Sequence, residues 1–328
     1  MTLPRLSVVL PSYRRLPLLP AVVAAHLREG ADEVVLVLDG PHAGWREALS
    51  DLLANERVVV LELPSNRGLA LARIAGLETA RGDIILMADD DVEPRPGLID
   101  RHRRFHAANP GHVLLGYMPV PLPARRAPDA AATYLYARDY EAQARVWEAP
   151  DSDVVLGSLW GGNVSVPREL YLLAEAYKPS ERLDYNEDLD LGIRLRAVGA
   201  RGAFDGEAMA WHHHHRDLAG FARESVVRGE AIRDLERRWG SVPPQLVPLV
   251  TIPPGYQRLA GWVQRRIAAR STPGVLERVI RAVYRGAGAA RAWRVQDGVT
   301  RLLRRGLVMR GYRQRVDADP SLSIVRNT

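Results

Sequence analysis

The sequence predicts an α/β fold, a mostly parallel central sheet flanked by helices, with a C-terminal α-helical extension. Three observations predict it. From residue 6 to about 118, short β-branched runs alternate with helical patterns, the signature of strands joined by crossover helices. Those runs are close to continuously apolar, as strands covered by helices on both faces are. Beyond residue 250 the charge changes sign: residues 1–250 carry 29 basic and 35 acidic side chains, net −6, whereas residues 251–328 carry 16 arginines and 4 acids, net +12. The net charge of +6 over 328 residues is therefore a property of the tail.

The strand candidates are Leu6–Pro11, Glu33–Asp39, Arg57–Leu61 and Asp83–Ala88, with helices near 17–28, 44–54 and 68–80 between them. A further helix is predicted to start near Pro96. A proline-rich and aromatic-rich segment follows at 119–150, with a helix at 129–147. Then come a tight glycine turn, Trp160–Gly161–Gly162–Asn163, a helix beginning at Glu187–Asp188–Leu189–Asp190, the run His212–His215 and a helix at 217–238. The nineteen charge-free residues between Arg238 and Arg258 are long enough to span a bilayer but contain five prolines, so a linker is predicted there and not a spanning helix. Residues 255–316 interleave arginines with apolar residues at steps of three and four, which predicts amphipathic helices. The expected division is a catalytic domain at 1–240, with halves at about 1–118 and 119–240, a linker at 241–257 and a helical extension at 258–328.

Composition narrows the chemistry. Hydrophobic residues make up 47% and charged residues 26%, values of an ordinary globular chain. The absence of cysteine removes disulfide scaffolds, thiolate metal sites and cysteine nucleophiles together. The N-terminus, MTLPRLSVVLPSYRR, enters a short apolar strand without the long apolar stretch of a signal peptide, so a cytoplasmic protein is expected. Of the 45 basic residues only Lys178 is lysine, so arginine abundance by itself says little about function.

In an open parallel sheet, ligands bind beyond the carboxyl ends of the strands. The residues arriving there are Pro11, Ser12, Tyr13 and Arg14, then Asp39–Gly40, Asn66–Arg67–Gly68, and Asp89–Asp90–Asp91. Three adjacent carboxylates repel one another, so a site that gathers them suits a compensating hard cation, Mg²⁺ or Mn²⁺, held jointly with a diphosphate. Acids at a helix start are also favoured by the macrodipole, and this reading covers both the aspartate run and Glu187–Asp188. A carboxylate at the second position could equally serve as a general base to an incoming hydroxyl. One imidazole of His212–His215 is a competent metal ligand beside such carboxylates.

Taken together and in this order, VVLPSYRR at 8–15, VLVLDG ending at Gly40, NRGLALARIAGLETARGDIILMADDDVEPRPGLI at 66–99, GGNVSVPREL at 161–170, NEDLDLGIRLRAVGAR at 186–201 and WHHHHRDL at 211–218 resemble the family 2 glycosyltransferases of the GT-A, Rossmann-like fold. The resemblance covers about residues 5–240. It implies that Pro11, Ser12, Tyr13 and Arg14 line a nucleotide pocket, that Asp39 contacts the base, and that Arg67, Gly68 and Arg73 complete the nucleotide side. Asp89, Asp90 and Asp91 would carry the family's Asp-X-Asp motif, with Asp91 on the metal and Asp89 on the ribose or the metal shell. Trp160, Gly162, Asn163 and Glu187 would face the donor sugar and acceptor, Asp188 would be the general base, and His212 a metal ligand. Arg14 stands where many relatives have asparagine. Leu235 stands where processive members carry the glutamine of a Gln-X-X-Arg-Trp signature, which implies a single addition.

The implied reaction is inverting transfer of a sugar from a UDP-, GDP- or dTDP-sugar to a hydroxyl of a carbohydrate or lipid-linked acceptor, with Mn²⁺ or Mg²⁺. Two other classes compete with it: a nucleotidyltransferase of sugar phosphates, which lacks its glycine-rich, lysine-bearing N-terminal loop here, and a nucleic-acid-binding protein acting through the +12 tail. The first reading expects no nucleic acid partner. For the tail it leaves two arrangements: peripheral contact with the inner face of the cell membrane, or packing on the catalytic domain or a second subunit of a homodimer.

Overall fold

The computed structural model describes residues 3–149, 151–252 and 258–318. Among them, eight strands form one sheet in the order β3-β2-β1-β4-β7-β6-β8-β5. The first half follows the parallel pattern: β1 (Leu6–Ser12), β2 (Glu33–Leu38), β3 (Val58–Glu62) and β4 (Ile84–Ala88) lie side by side in parallel. Every residue of β1, β2 and β4 is buried, as their nearly continuous apolar runs imply, and the buried Ser7 and Glu33 satisfy each other in a 2.6 Å hydrogen bond. The crossovers carry α1 (Leu19–Arg28), two single-turn helices α2 (Trp45–Ala48) and α3 (Ser50–Leu53), and α4 (Leu69–Thr79). The helix expected at 44–54 is thus split, the chain leaving α-geometry at Leu49.

The other four strands went unpredicted. They are β5 (Val92–Pro94), β6 (His112–Tyr117), β7 (Asn163–Pro167) and β8 (Arg201–His212). β7 pairs antiparallel with both β4 and β6, and β8 bends from a parallel ladder with β6 into an antiparallel one with β5, with a register irregularity between Gly116 and Tyr117. Two registers matter for function. Ala88 lies opposite Asn163, so the end of β4 runs beside the glycine turn, and Val92 lies opposite His212, so the aspartate run meets the start of the histidine run. The remaining helices are α5 (Leu98–Ala108), α6 (Ala131–Trp147), α7 (Ser152–Gly157), α8 (Arg168–Tyr177), α9 (Glu187–Ala197), α10 (Leu218–Trp239), α11 (Val247–Val250), α12 (Arg258–Ala268), α13 (Val275–Ala289) and α14 (Trp293–Ala318).

The chain divides into two compact units. Residues 1–121, 140–183 and 187–214 form the first, and residues 122–139, 184–186 and 215–328 the second, so the division runs through α6 and places α10 with the C-terminal helices. The second unit is built on an apolar cluster in which Leu218, Phe221 and Ala222 of α10 meet Ile267 of α12, Ile280 and Tyr284 of α13, and Leu303 and Leu307 of α14. Helix backbones come close there: a Cβ at Gly229 would lie 2.0 Å from the Val308 carbonyl, and one at Gly311 would lie 1.9 Å from that of Val226, so only glycine fits. The linker expected at 241–257 contains α11, and its part at 253–257 lies outside the described residues, as do 319–328 of the expected extension. No helix among the described residues is long and apolar enough to cross a membrane.

Candidate active site

The polar residues that follow β1, β2 and β4 gather at one edge of the sheet, in three groups. In the first, Asp39 directly follows β2 and is buried. Its carboxylate accepts from the backbone N–H of Arg67 (2.6 Å) and Gly68 (2.9 Å) and from Asn66 Nδ2 (2.9 Å), so it shapes the loop that opens α4. Gly68 has φ +86°, a left-handed conformation that favours glycine, while the Arg67 side chain is exposed. Arg182 clasps the same loop through the Asn66 carbonyl and side chain, at 3.1 and 3.0 Å.

The second group joins β1 to the aspartate run. Ser12 donates to Asp90 at 2.6 Å, and Arg15 bridges Asp90 (3.0 Å) and Asp91. His212 Nε2 stands 3.4 Å from Asp91 Oδ1. Burial opposes ionisation of Asp91, but His212 and Arg15 outweigh it and hold the carboxyl well below the usual range. For Asp90 burial wins over Arg15 and Ser12, and its carboxyl is pushed up to about 6. His213 turns outward to Glu93 (2.8 Å), and the His214 ring lies edge-on to His212.

The third group joins α4, β4, the glycine turn and α9. The Arg73 guanidinium, 3% exposed, bridges Asp89 (2.8 Å) and Glu187 (3.2 Å). Asp188 Oδ2 accepts the Gly161 N–H at 2.7 Å, and Oδ1 accepts the N–H of Leu189. Both glycines make room for these side chains: a Cβ at Gly161 would come within 2.7 Å of Arg73 Nη2, and one at Gly162, whose φ of +103° itself favours glycine, within 2.9 Å of Asp89 Oδ2. Burial, with the neighbouring acids, raises the carboxyls of Glu187 and Asp188, against the pull of Arg73. A partly buried carboxyl with a raised proton affinity at a polar edge has the character of a general base.

Of the residues singled out in the sequence, Ser12, Asp89, Asp90, Asp91, Arg73, Glu187, Asp188, Gly162 and His212 thus come together at this edge. Tyr13 and Arg14 sit there exposed, with the Arg14 guanidinium 4.9 Å from the Tyr13 ring centre, and Pro11 is buried within β1. Asn163 is 1% exposed: its amide donates to the Ala208 carbonyl (2.9 Å), and its oxygen lies 3.0 Å from His102 Nε2. An amide oxygen only accepts, so Nε2 carries the proton and Nδ1 accepts from Ser165 at 2.7 Å. Asn163 is therefore engaged inward, and what it lends the site is the position of its backbone. Trp160 belongs to an aromatic cluster with Tyr140 and Trp147, at ring separations of 5.4 and 6.0 Å.

Two residues were missed. Arg15 is the cation of the second group. His42 orders the left-handed turn at Arg14 (φ 61°): its Nδ1 donates to the Gly40 carbonyl (2.7 Å), which leaves Nε2 to accept the Arg14 N–H (2.8 Å). Arg15 ends the quoted VVLPSYRR stretch without being singled out there, and His42, between Pro41 and Ala43, carried no signal in the sequence.

Among the described residues no group of three or more histidine, aspartate or glutamate side chains converges as a metal cage. Asp91 and His212 do converge, and an oxygen and an imidazole nitrogen completed by a substrate's phosphate oxygens form a donor set suited to Mn²⁺ or Mg²⁺. The chain fits such an ion through these two residues, while Asp89 is turned to Arg73.

The family model described as glycosyl transferase family 2 matches residues 7–171. An undecaprenyl-phosphate 4-deoxy-4-formamido-L-arabinose transferase of Aeromonas hydrophila is 35% identical over 120 residues, covering 34% of this chain and 36% of that protein. A pre-mycofactocin glycosyltransferase of Mycobacterium tuberculosis is 26% identical over 263 residues, covering 80% of this chain and 53% of that one. The chain thus matches only between about a third and a half of the length of these curated relatives. Among solved structures, a mannosyltransferase from Pyrobaculum calidifontis in complex with GDP-Man and Mn²⁺ superimposes with a TM-score of 0.59 at 18% identity, over 96% of this chain and 89% of that one, which establishes the likeness of the fold.

Proposed function

The chain belongs to glycosyl transferase family 2, and from that premise we propose that it is an inverting glycosyltransferase moving one sugar from a nucleoside diphosphate donor to an acceptor hydroxyl. One observation carries the reading. Asp188, with a raised proton affinity and its carboxylate oriented by two backbone N–H groups, belongs to the same edge as the aspartate run at the end of β4, and Arg73 couples Glu187 beside it to Asp89.

In this reading Asp188 takes the proton of the acceptor hydroxyl as that oxygen bonds to the anomeric carbon from the face opposite the leaving group. The bond from that carbon to the diphosphate oxygen breaks, and the nucleoside diphosphate leaves with the electron pair. Configuration inverts because a single displacement occurs. Asp91 and His212 would hold Mn²⁺ or Mg²⁺, which supplies positive charge for the diphosphate oxygens. Arg73 keeps Asp89 and Glu187 in place. The exposed Tyr13, Arg14 and Arg67 line the nucleotide side, with Asp39 setting the loop between them. A single addition fits Leu235 in place of the processive signature's glutamine.

The acceptor we propose is a carbohydrate or a lipid-linked one. The name of the Aeromonas relative, which specifies undecaprenyl phosphate, supports the latter. The protein would then work in the cytoplasm, at the inner face of the membrane. The test is incubation with UDP-, GDP- and dTDP-sugars and Mn²⁺, reading nucleoside diphosphate release. Asp91→Ala and Asp188→Ala are expected to abolish it. Full activity in both would overturn the assignment, and release of pyrophosphate would point to nucleotidyl transfer.

A further inference from the structure

Helix α13 is apolar on two faces. One face is spent in the core of the second unit: Ile280 is 7% and Tyr284 1% exposed, and Tyr284 donates to the Asp129 carbonyl at 2.6 Å. Beside that face the buried Glu277 is ion-paired with Arg281 and Arg310, which fixes the helix about its axis. The second face looks outward. Val275, Val279 and Val283, four residues apart and hence stacked on one side, are 68%, 53% and 42% exposed, and the exposed Ala282 and Gly286 fall on the same stripe. A solvated helix has no use for this stripe. β-branched residues are poorer helix formers than the charged residues usual at exposed positions, and exposed valines in register form a continuous apolar strip.

The charges beside the strip identify what it fits. At 100° per residue, Arg278 and Arg285 lie along one edge, both exposed. The neighbouring α12 repeats the composition, with Leu259 72% and Trp262 44% exposed and Arg266 set 5.6 Å from the Trp262 ring centre. Between Arg258 and Thr300 the only acids are Glu277 and Asp297, and Asp297 is ion-paired with Arg126 at 2.6 Å. An apolar strip edged by cations, with no acid left over, repels a second copy of itself. It matches a surface that is apolar beneath and anionic at the rim. We infer that the valine face of α13, with the exposed face of α12, is a docking surface for an anionic lipid bilayer, lying in its interface and not across it.

The inference deepens the lipid-linked reading of the acceptor, but its test needs neither donor nor acceptor. The full chain is floated with vesicles of phosphatidylglycerol and phosphatidylcholine, and with phosphatidylcholine alone, at low and high salt. The wild type is expected to float with the anionic vesicles, weakly with the neutral ones, and less as salt rises. Val279→Asp with Val283→Asp should cut the floated fraction about tenfold, and Arg278→Gln with Arg285→Gln should remove the preference for anionic lipid. Thermal midpoints no lower than that of the wild type would show that these exposed substitutions leave the fold intact; if the aspartates disturb it, Val279→Ser with Val283→Ser carries the same expectation. Failure of the wild type to float at low salt, or flotation of the valine variants like wild type, overturns the inference. So does light scattering that shows a dimer dissolved by the valine substitutions alone, which would assign the strip to a second copy. Nucleoside diphosphate release in water is scored separately, so loss of one reading leaves the other standing.

Discussion

Asp188 occupies the first turn of α9 with both carboxylate oxygens directed by backbone N–H groups and its carboxyl raised by burial. Two consequences follow in opposite directions. As base it must be ionised, so the rate should fall as pH drops through its raised value, giving an acid limb above the ordinary aspartate pKa of about 3.9. For stability the sign reverses: a carboxyl whose pKa is raised by folding favours the native state when protonated, and its ionised form costs native stability above that pKa. Asp188→Asn should therefore lower kcat by about 10²–10⁴ while its thermal midpoint at neutral pH is no lower than wild type, the two proteins converging in acid. A large loss of midpoint with retained kcat would show a structural carboxylate. Arg73 behaves otherwise. Arg73→Met leaves Asp89 and Glu187 unpaired and should cost about 3 kcal/mol in urea denaturation; a change within error would mean the bridge is not formed. Adjacent acids and a histidine run were visible along the chain, whereas Arg15 and His42 acquire their roles only through partners 75 and 28 positions away.

At the scale of elements, legibility followed the burial pattern. Strands β1, β2 and β4 are buried on both faces and were read as apolar runs, but β8 alternates exposed, partly buried and buried residues over twelve positions, and its RGAFDGEAMAWH has no single period. The pairing of β7 with β4 was invisible for another reason: register between distant antiparallel strands is set by packing. That register joins the glycine turn to Asp89, so the site was legible as pieces and not as an arrangement. Helix α9 shows how an element places chemistry. Its Gly192 lies so close to α7 that a Cβ would meet the Leu156 carbonyl at 2.1 Å. Gly192→Ala must push the helix away, and with it Glu187 and Asp188 one turn before. The expected loss is about 1–3 kcal/mol in chemical denaturation, with a fall in kcat larger than that in donor affinity. Wild-type values of both would mean that the two helices do not pack this closely.

For the whole molecule, the charge split at residue 250 and the structural division do not coincide, because α10 joins the arginine-bearing helices through the cluster of Leu218, Phe221, Ile267 and Leu303. Sequence could show the change of composition but not that an acid-bearing helix supplies part of that core. The unit so formed includes the segment with net +12. Among the described residues, Arg304 is paired with Asp139 and Arg310 with Glu277. Arg258, Arg265, Arg270, Arg278, Arg285 and Arg291 are exposed, and like charges held together weaken the compact state. Screening acts over a Debye length of about 30 Å at 0.01 M salt and about 10 Å at 0.1 M, so repulsion among these surface cations is relieved over that range while buried pairs change little. The thermal midpoint should rise by a few degrees over it, at about 2–4 °C per kcal/mol for units of this size. Arg278→Gln with Arg285→Gln should raise the low-salt midpoint and flatten the response. A midpoint that falls with salt would mean that ion pairs, and not repulsion, dominate the surface. If it rises, anionic lipid should produce at low salt the same stabilisation that added salt produces, because both neutralise the same cations.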